Sequence, residues 1–303
     1  MKISGLTRVY LSIVLAMIFW SLTFVWFKIV NEVYPPFTIV FLRLVISSLI
    51  LLPIAWFADI LQKINRRDFK WIILLSVFNP FLYFVCESMG LTIVSSTLAA
   101  IIISTIPLFV PVGASIFFSE KLTPLNVSGI LLSFTGVLIV VINRDFSFSA
   151  DPVGILLMLM AVFFAVGYTL VVKKLMNRYN AYSLTTYQNL LGILFFLPLV
   201  ALFEFKPLFN AVLTLNAIIS LICLAIFGSS LAFILYNYSV KNLGASKANI
   251  FTNIIPVLTA IFSYFILNEE MTFQKITGIA VVLTGLLLSQ MGRINKKERF
   301  VSP

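Results

Sequence analysis

Two related stretches of sequence decide the fold: PLFVPVGASIFFSEKLTPLNVSGILLSFTG at 107–136 and PVLTAIFSYFILNEEMTFQKITGIAVVLTG at 256–285. Each consists of an apolar run, a short polar turn and a second apolar run. At an offset of 149 several features recur, which pair Pro107 with Pro256, Glu120 with Glu269, Thr123 with Thr272, Gly129 with Gly278, Thr135 with Thr284 and Gly136 with Gly285. So many shared spacings indicate an internal duplication.

The composition indicates whether the duplicated unit faces water or lipid. Hydrophobic residues make up 61% of the 303 residues and charged residues only 11%, whereas a soluble domain has about 25% charged residues. The apolar excess must therefore face lipid. The chain has no His, which excludes imidazole metal ligands and His-dependent catalytic dyads. Cys86 and Cys223 both lie inside apolar runs, so we expect no disulfide framework and no zinc site.

Apolar runs long enough to cross a membrane fill most of the chain. A membrane-spanning helix needs about 20 predominantly apolar residues. Ten segments meet this length approximately: 9–30, 36–58, 70–91, 95–118, 125–142, 152–173, 183–203, 213–238, 245–267 and 274–291. The remaining loops are too short for a soluble domain. We therefore predict an all-α integral membrane protein with ten transmembrane helices.

Lys and Arg residues predict the orientation of these helices, because cytoplasmic loops are enriched in both. Basic residues concentrate in the loops around 63–70, 173–178 and 241–247 and in the two termini. This pattern places both termini in the cytoplasm. The net charge of +10 is thus a topology signal, and we expect contact with anionic lipid and no nucleic-acid partner.

The duplication also predicts how the two halves relate. Earlier in each half the offset is 145, which pairs Lys28 with Lys173, Tyr34 with Tyr179 and Pro53 with Pro198. The halves are 1–146 and 147–303, with five predicted helices each. Two homologous units with an odd number of spans must insert in opposite orientations. Inverted repeats of this kind are typical of secondary transporters, whose substrate site lies near the bilayer midplane between the halves.

Short motifs along the chain resemble the drug/metabolite transporter superfamily, specifically its EamA-type ten-helix transporters. They are Phe19-Trp20-Ser21 leading to Lys28, Pro35-Pro36 leading to Leu42-Arg43, and Pro107 leading to Glu120-Lys121-Leu122-Thr123, with the second-half copies from Pro256 to Gly285. The resemblance implies a central cavity lined by spans 1, 3, 4, 6, 8 and 9 and export of amino acids or similar metabolites. The second half departs from the pattern, because Gln188 occupies the position equivalent to Arg43 and Tyr236 the position equivalent to Glu87.

Polar residues within the predicted spans are the candidate site, because polar groups in hydrocarbon usually face a partner or a wet cavity. Asn79, Tyr83 and Glu87 step by four along one helix face. The predicted substrate-binding set is Trp20, Thr23, Asn79, Tyr83, Glu87, Ser104, Tyr168, Tyr236, Asn249, Thr252 and Asn253. Packing between helices remains the alternative for each aromatic or hydroxyl residue.

Three charged residues lie inside predicted spans, namely Lys28, Arg43 and Glu87. One interpretation is an Arg43–Glu87 pair that only holds helices together. The other is a functional set in which Arg43 or Lys28 attracts an anionic group while Glu87 binds an amine or a proton. Lys28 also has the option of reaching the lipid headgroups.

The prolines and glutamates near span ends have more local roles. Pro107 and Pro256 remove a backbone hydrogen bond, so we predict kinks in spans 4 and 9. Glu120 and Glu269 precede Thr123 and Thr272, and we expect them to cap or brace the 4–5 and 9–10 turns and not to bind substrate.

These features predict a secondary transporter that works by alternating access on small zwitterionic or neutral solutes in the bacterial cytoplasmic (inner) membrane, and the resemblance implies export of amino acids or similar metabolites. We expect a small-molecule substrate and the bilayer as its partners, and a monomer. We expect no cofactor, no bound metal, no catalytic residue and no enzymatic activity. The alternatives are an intramembrane lipid-modifying transferase, which usually needs clustered acids, His or a metal, and a channel or receptor.

Overall fold

The computed structural model describes residues 5–118, 123–142, 147–212, 214–244, 248 and 251–298. Within these ranges the chain is helical, apart from short turns and one isolated bridge between Ile142 and Phe148. We number the helical segments in chain order: α1 Gly5–Asn31, α2 Pro36–Phe57, α3 Phe69–Ile93, α4 96–118, α5 Pro124–Val141, α6 Pro152–Leu175, α7 Ala181–Phe209, α8 Leu215–Leu243, α9 Phe251–Leu267 and α10 Phe273–Glu298.

Seven of these segments, α1, α2, α3, α5, α6, α7 and α8, are long and apolar enough to cross a membrane. Shorter apolar helices lie within α4, α9 and α10. The prediction of an all-helical integral membrane protein is therefore confirmed. The number of crossings and the opposite orientation of the halves stay predictions.

Local sequence sets where the helices begin. The Thr123 hydroxyl accepts a hydrogen bond from the Asn126 backbone N–H, and the Asn126 side chain accepts one from the Thr123 backbone N–H. Pro124 occupies the first turn of α5. This reciprocal cap satisfies donors that a helix start leaves open, as the Thr-Pro sequence predicts.

Three helices are interrupted near the middle of the bundle. In α3, Asn79 has an extended backbone (φ −148°, ψ 121°), because the ring of Pro80 disfavours helical geometry in the residue before it. In α4 the α-helix stops at Ile103 and resumes at Ile106, directly before Pro107. In α9 a short 3-10 turn, Phe251–Ile254, precedes the α-helical part that contains Pro256. All three breaks border the same cavity.

The main helix contacts join one half of the chain to the other. Helix α1 packs on α8 and α9, and α6 packs on α3 and α4. Helices α2 and α7, α4 and α9, and α5 and α10 form further pairs. Each contact has a counterpart in which both helices are replaced by their equivalents in the other half. For example, replacing α1 by α6 and α8 by α3 turns the α1–α8 contact into the α6–α3 contact. The two halves therefore interlock through equivalent surfaces.

The α5–α10 seam is the closest of these pairings. A Cβ atom added to Gly129 would lie 2.5 Å from the Gly285 carbonyl oxygen, and one added to Gly285 would lie 2.7 Å from the Gly129 oxygen. Gly136 approaches the Val282 nitrogen in the same way. The Asn126 side chain donates a hydrogen bond to the Ser289 carbonyl across the seam. The glycines thus serve contact within one chain, because only a residue without a side chain permits this approach.

Candidate functional site

A cavity lies inside the bundle, about 90 Å³ in the volume open to the centres of water-sized molecules. A buried site needs only about 10–15 Å³ by this measure to hold one water, so this cavity has room for a small solute or several waters. It is lined by Trp20, Thr23 and Phe24 of α1, Arg43 of α2, Asn79, Tyr83, Phe84 and Glu87 of α3, Ile103 and Ile106 of α4, Ala165, Tyr168 and Thr169 of α6, Phe233 and Tyr236 of α8, and Thr252 and Ile255 of α9.

Arg43 is the one lining cation among the described residues, and it is only 3% exposed. Its Nε donates a hydrogen bond to Ser229 Oγ at 2.7 Å, and its guanidinium lies 4.5 Å above the Phe84 ring. A Cβ on Gly228 would come within 3.1 Å of Arg43 Nη2, so a side chain at this position would crowd the guanidinium. Serine, ring and glycine together fix a planar cation at the cavity wall.

Glu87 provides the opposite charge in the same cavity. The Tyr83 hydroxyl donates a hydrogen bond to Glu87 Oε1 at 2.7 Å. Among the residues that the structure describes, no ion pair within 4.0 Å joins Glu87 to Arg43, although the two charges are close enough to attract each other. We call Thr23, Arg43, Tyr83 and Glu87 the charged pole of the cavity.

Aromatic rings form another part of the cavity wall. The Trp20 ring lies 4.9 Å from that of Tyr236 and 5.3 Å from that of Phe233, measured between centroids. Tyr168 meets Phe233 edge to face at 6.2 Å. Such a wall accepts apolar parts of a solute and, through the ring faces, cationic groups.

Behind this wall lies a set of buried amides that the sequence analysis did not assign to the site. Gln188 Nε2 donates a hydrogen bond to Asn79 Oδ1 at 3.0 Å. Asn189 Nδ2 donates to Ser47 Oγ at 2.7 Å and to the Ser229 carbonyl at 3.1 Å. The signal for Gln188 was its position equivalent to Arg43. The signal for Asn189 was its amide within the predicted span 183–203, but its partners follow only from which face of α7 meets α2, and that depends on tertiary packing.

The remaining predicted site residues lie elsewhere. Ser104 is buried and donates a hydrogen bond to the Ile101 carbonyl at 2.7 Å, and Asn253 is buried; the cavity lining includes neither side chain. Asn249 lies outside the described residues. Lys28 does not line the cavity and lies near Glu269, close enough for their charges to attract. Pro107 and Pro256 follow the helix breaks described above.

Glu269 and Glu204 bind helix starts at one end of the bundle, which we call the carboxylate end. Glu269 accepts hydrogen bonds from the Ser96 and Thr97 backbone N–H groups at 2.7 and 3.2 Å and from the Thr97 hydroxyl at 2.7 Å. Glu204 accepts from the Thr38 N–H at 2.6 Å and the Thr38 hydroxyl at 2.8 Å. Glu269 therefore caps the start of α4 from the end of α9. It caps a helix start, as predicted, but the helix belongs to the other half of the chain and not to the 9–10 turn. Glu120 lies outside the described residues.

At the opposite, basic end, the 58–68 loop lies against the 176–180 turn. Arg178 Nη1 donates hydrogen bonds to both oxygens of Asp68 at 2.9 and 3.0 Å, and the Tyr179 hydroxyl donates to Asp68 Oδ2 at 2.9 Å. The Tyr179 and Arg178 hydrogen bonds lower the pKa of Asp68 from its ordinary 3.8. Gln62 accepts a hydrogen bond from the Asn180 N–H at 2.6 Å. These contacts join the two halves of the chain outside the cavity.

Comparisons with known proteins agree with this architecture. The sequence profile of the EamA-like transporter family matches residues 7–142 and again 152–291. An uncharacterized transporter encoded in the sor 3′ region of Acidianus ambivalens is 32% identical over 85% of this chain and 95% of its own length. The uncharacterized transporter YetK of Bacillus subtilis is 29% identical over 95% of this chain and 88% of its own length.

A solved crystal structure has a similar fold, with a TM-score of 0.68 at 16% identity over 97% of this chain and 99% of the other. At this identity the likeness concerns the fold alone. The two profile matches together cover nearly the whole sequence. The chain therefore belongs to the EamA-like transporter family.

Proposed function

We propose that this protein is a secondary transporter that moves small zwitterionic or neutral solutes, such as amino acids, across the bacterial cytoplasmic membrane by alternating access. The observation that carries the proposal is the buried cavity that both Arg43 and Glu87 line without forming an ion pair within 4.0 Å. Export is the direction that the family resemblance implies.

Two charges held in this way fit a solute that carries both an anionic and a cationic group. Arg43 is pinned by Ser229 through Nε, so its Nη atoms remain available for a carboxylate. Glu87 keeps one oxygen beyond the one that Tyr83 occupies, which suits an ammonium group. The rings of Trp20 and Tyr236 then receive the apolar part of the solute.

Alternating access needs two interconvertible halves. The repeated profile match and the exchange-symmetric helix contacts support two homologous five-helix units at 1–146 and 147–303. With five spans each, the units insert in opposite orientations and both termini lie in the cytoplasm, in agreement with the basic loops at the basic end. Because the halves pair within one chain, a monomer suffices.

The test is counterflow of labelled amino acids into liposomes that contain the purified protein. We expect saturable uptake that Arg43→Gln weakens by about 10–100-fold, since a hydrogen bond to a charged group is worth about 1.5–3 kcal/mol. Lys275→Gln, at an exposed cation outside the cavity, is the matched control and retains uptake. Uptake that is unsaturable indicates a pore, and uptake insensitive to Arg43→Gln contradicts the assigned site.

Glu87 is the residue that we assign to coupling, because it is the lining carboxylate among the described residues. If it carries a proton, Glu87→Gln abolishes the pH dependence of transport while counterflow persists at a fixed pH. A pH dependence that is unchanged in Glu87→Gln eliminates the coupling role.

A further inference from the structure

A second polar cluster borders the cavity through Tyr168 of α6, with Gln188 of α7 and Asn237 of α8 beside it. The Tyr168 hydroxyl faces the Gln188 and Asn237 side chains without reaching hydrogen-bond geometry with either. Tyr168 lines the cavity, and the two amides lie behind it. We call this set the neutral pole.

Its hydrogen-bonding capacity is unused inside the protein. In the part of the chain that the structure describes, Tyr168 Oη, Gln188 Oε1 and both polar atoms of Asn237 have no hydrogen-bond partner. Asn237 is fully buried and Gln188 is 1% exposed. Buried polar atoms in folded proteins are nearly always paired, and a cluster of four unpaired atoms signals a missing partner.

The repeat supplies an independent reason to regard this cluster as a site. The offset of 145 relates Thr23 to Tyr168 and Arg43 to Gln188, and the offset of 149 relates Glu87 to Tyr236 and Ser88 to Asn237. Two members of the neutral pole, Tyr168 and Gln188, are therefore the second-half counterparts of Thr23 and Arg43, and Asn237 directly follows Tyr236, the counterpart of Glu87. At both positions where the charged pole carries an ion, the second half carries an uncharged group.

The available atoms define the ligand chemistry. They comprise acceptors on Gln188 and Asn237, a donor amide on Asn237 and a hydroxyl on Tyr168 that acts either way. None of them is charged, so an ion gains little there. A small O–H group, which both donates and accepts, satisfies several of them at once.

We propose that the neutral pole binds an O–H group, supplied by a hydroxyl of the transported solute when one is present and by water otherwise. This inference rests on the proposed function and deepens it, because it makes hydroxylated zwitterions the preferred substrates. The charged pole binds the zwitterionic head, and the neutral pole selects the side chain.

The experiment compares L-threonine with L-valine, which differ by a hydroxyl in place of a methyl group. Each is added to the purified full-length protein, and affinity is taken from the rise in melting temperature with concentration. We expect threonine to bind about tenfold more tightly than valine, because a site built to hydrogen-bond a hydroxyl discriminates against the analogue without it. Asn237→Leu and Tyr168→Phe should reduce this ratio to near one.

Asn189→Leu is the matched control. It makes the same substitution at a neighbouring buried amide whose hydrogen bonds go to Ser47 and Ser229. We expect it to lower the melting temperature and to leave the threonine-to-valine ratio unchanged. If Asn237→Leu fails to fold, Tyr168→Phe, which removes a single oxygen, carries the test.

The melting temperatures without solute separate the two sources of the O–H group. If water occupies the pole, Asn237→Leu melts below wild type even though the lost amide has no protein partner. If Asn237→Leu melts below wild type but the wild-type protein binds threonine and valine equally, the O–H group at the neutral pole belongs to water. A variant that melts at or above wild type, together with equal binding of threonine and valine, overturns the proposal while the transporter function stands. Should neither amino acid shift any melting temperature, the proposed substrate class fails and the solute form of this inference fails with it.

Discussion

The α5–α10 seam and the cavity wall are both places where the first half of the chain meets the second, yet they are built from opposite residues. At the seam, glycines bring backbones together until an added Cβ would collide with the facing carbonyl. At the cavity, charged, aromatic and amide side chains hold the helices apart and leave hydrogen-bonding atoms unused. The comparison indicates that the seam is built for close packing, while the cavity has open space and unpaired polar groups in its place.

The largest loss of stability is expected when a side chain is added to a glycine of the α5–α10 seam. Gly129→Ala and Gly285→Ala should each lower the stability by about 1–3 kcal/mol or more, because a methyl group there meets rigid backbone atoms. The measurement is the melting temperature of the purified protein. Gly113→Ala is the control, since its Cβ would meet the mobile side-chain ends of Leu170 and Val166 at 3.1 and 3.2 Å. A seam variant as stable as Gly113→Ala contradicts the close packing.

A smaller loss of stability is expected at the carboxylate end, where the halves meet through the Glu269 side chain and not through glycines. Glu269→Gln should cost about 0.5–2 kcal/mol, because it weakens a charged cap on the N-terminus of α4. Glu270→Gln, at the exposed neighbouring position, should leave the melting temperature unchanged. Equal effects of the two substitutions would show that general charge, and not the α4 cap, is responsible.

The smallest expected effect lies at the basic end and depends on pH. Because its hydrogen bonds lower the pKa of Asp68 below 3.8, the stabilisation is complete above that value and is lost as the pH falls through the lower folded-state pKa. The melting temperature of wild type should therefore exceed that of Asp68→Asn at neutral pH, and the difference should shrink below about pH 4.

The control for this prediction is Asp59→Asn in the same loop. Asp59 is exposed and has a positive φ of 49°, a conformation that Asn also tolerates. We expect it to match wild type at every pH. A gap between wild type and Asp68→Asn that persists unchanged at low pH would contradict the role of the Asp68 charge.

Particular residues show how far the sequence reached into the site. Asn79, Tyr83 and Glu87 were identified because an intramembrane stripe of polar groups is costly unless it faces something polar, and all three line the cavity. Ser104 and Asn253, which the offset of 149 relates, are polar residues within predicted spans, but neither lines the cavity. The α-helix is broken beside both, after Ile103 and before Ile255, and such a break rotates a face in a way that periodicity along an unbroken helix does not describe.

Glu269 and Gln188 show the complementary limit. The position of Glu269 at the end of an apolar run suggested a local brace, but its hydrogen bonds cross to Ser96 and Thr97, more than 170 residues away in sequence. The repeat identifies Gln188 only as the residue at the position equivalent to Arg43. Its contact with Asn79 depends on α3 and α7 lying side by side. Pairings between distant segments have no local signature.

The sequence by itself determined that this chain is a helical membrane protein with a repeated pattern, because apolar excess, run length and residue spacing are properties of the chain alone. The tertiary structure decided which polar residues share a cavity, which glycines meet across α5 and α10, and that Arg43 and Glu87 face the same space without pairing. Those outcomes depend on helix rotation and on breaks at Asn79 and before Pro107 and Pro256. A rotation of one residue turns a side chain by about 100° and moves it from cavity to lipid.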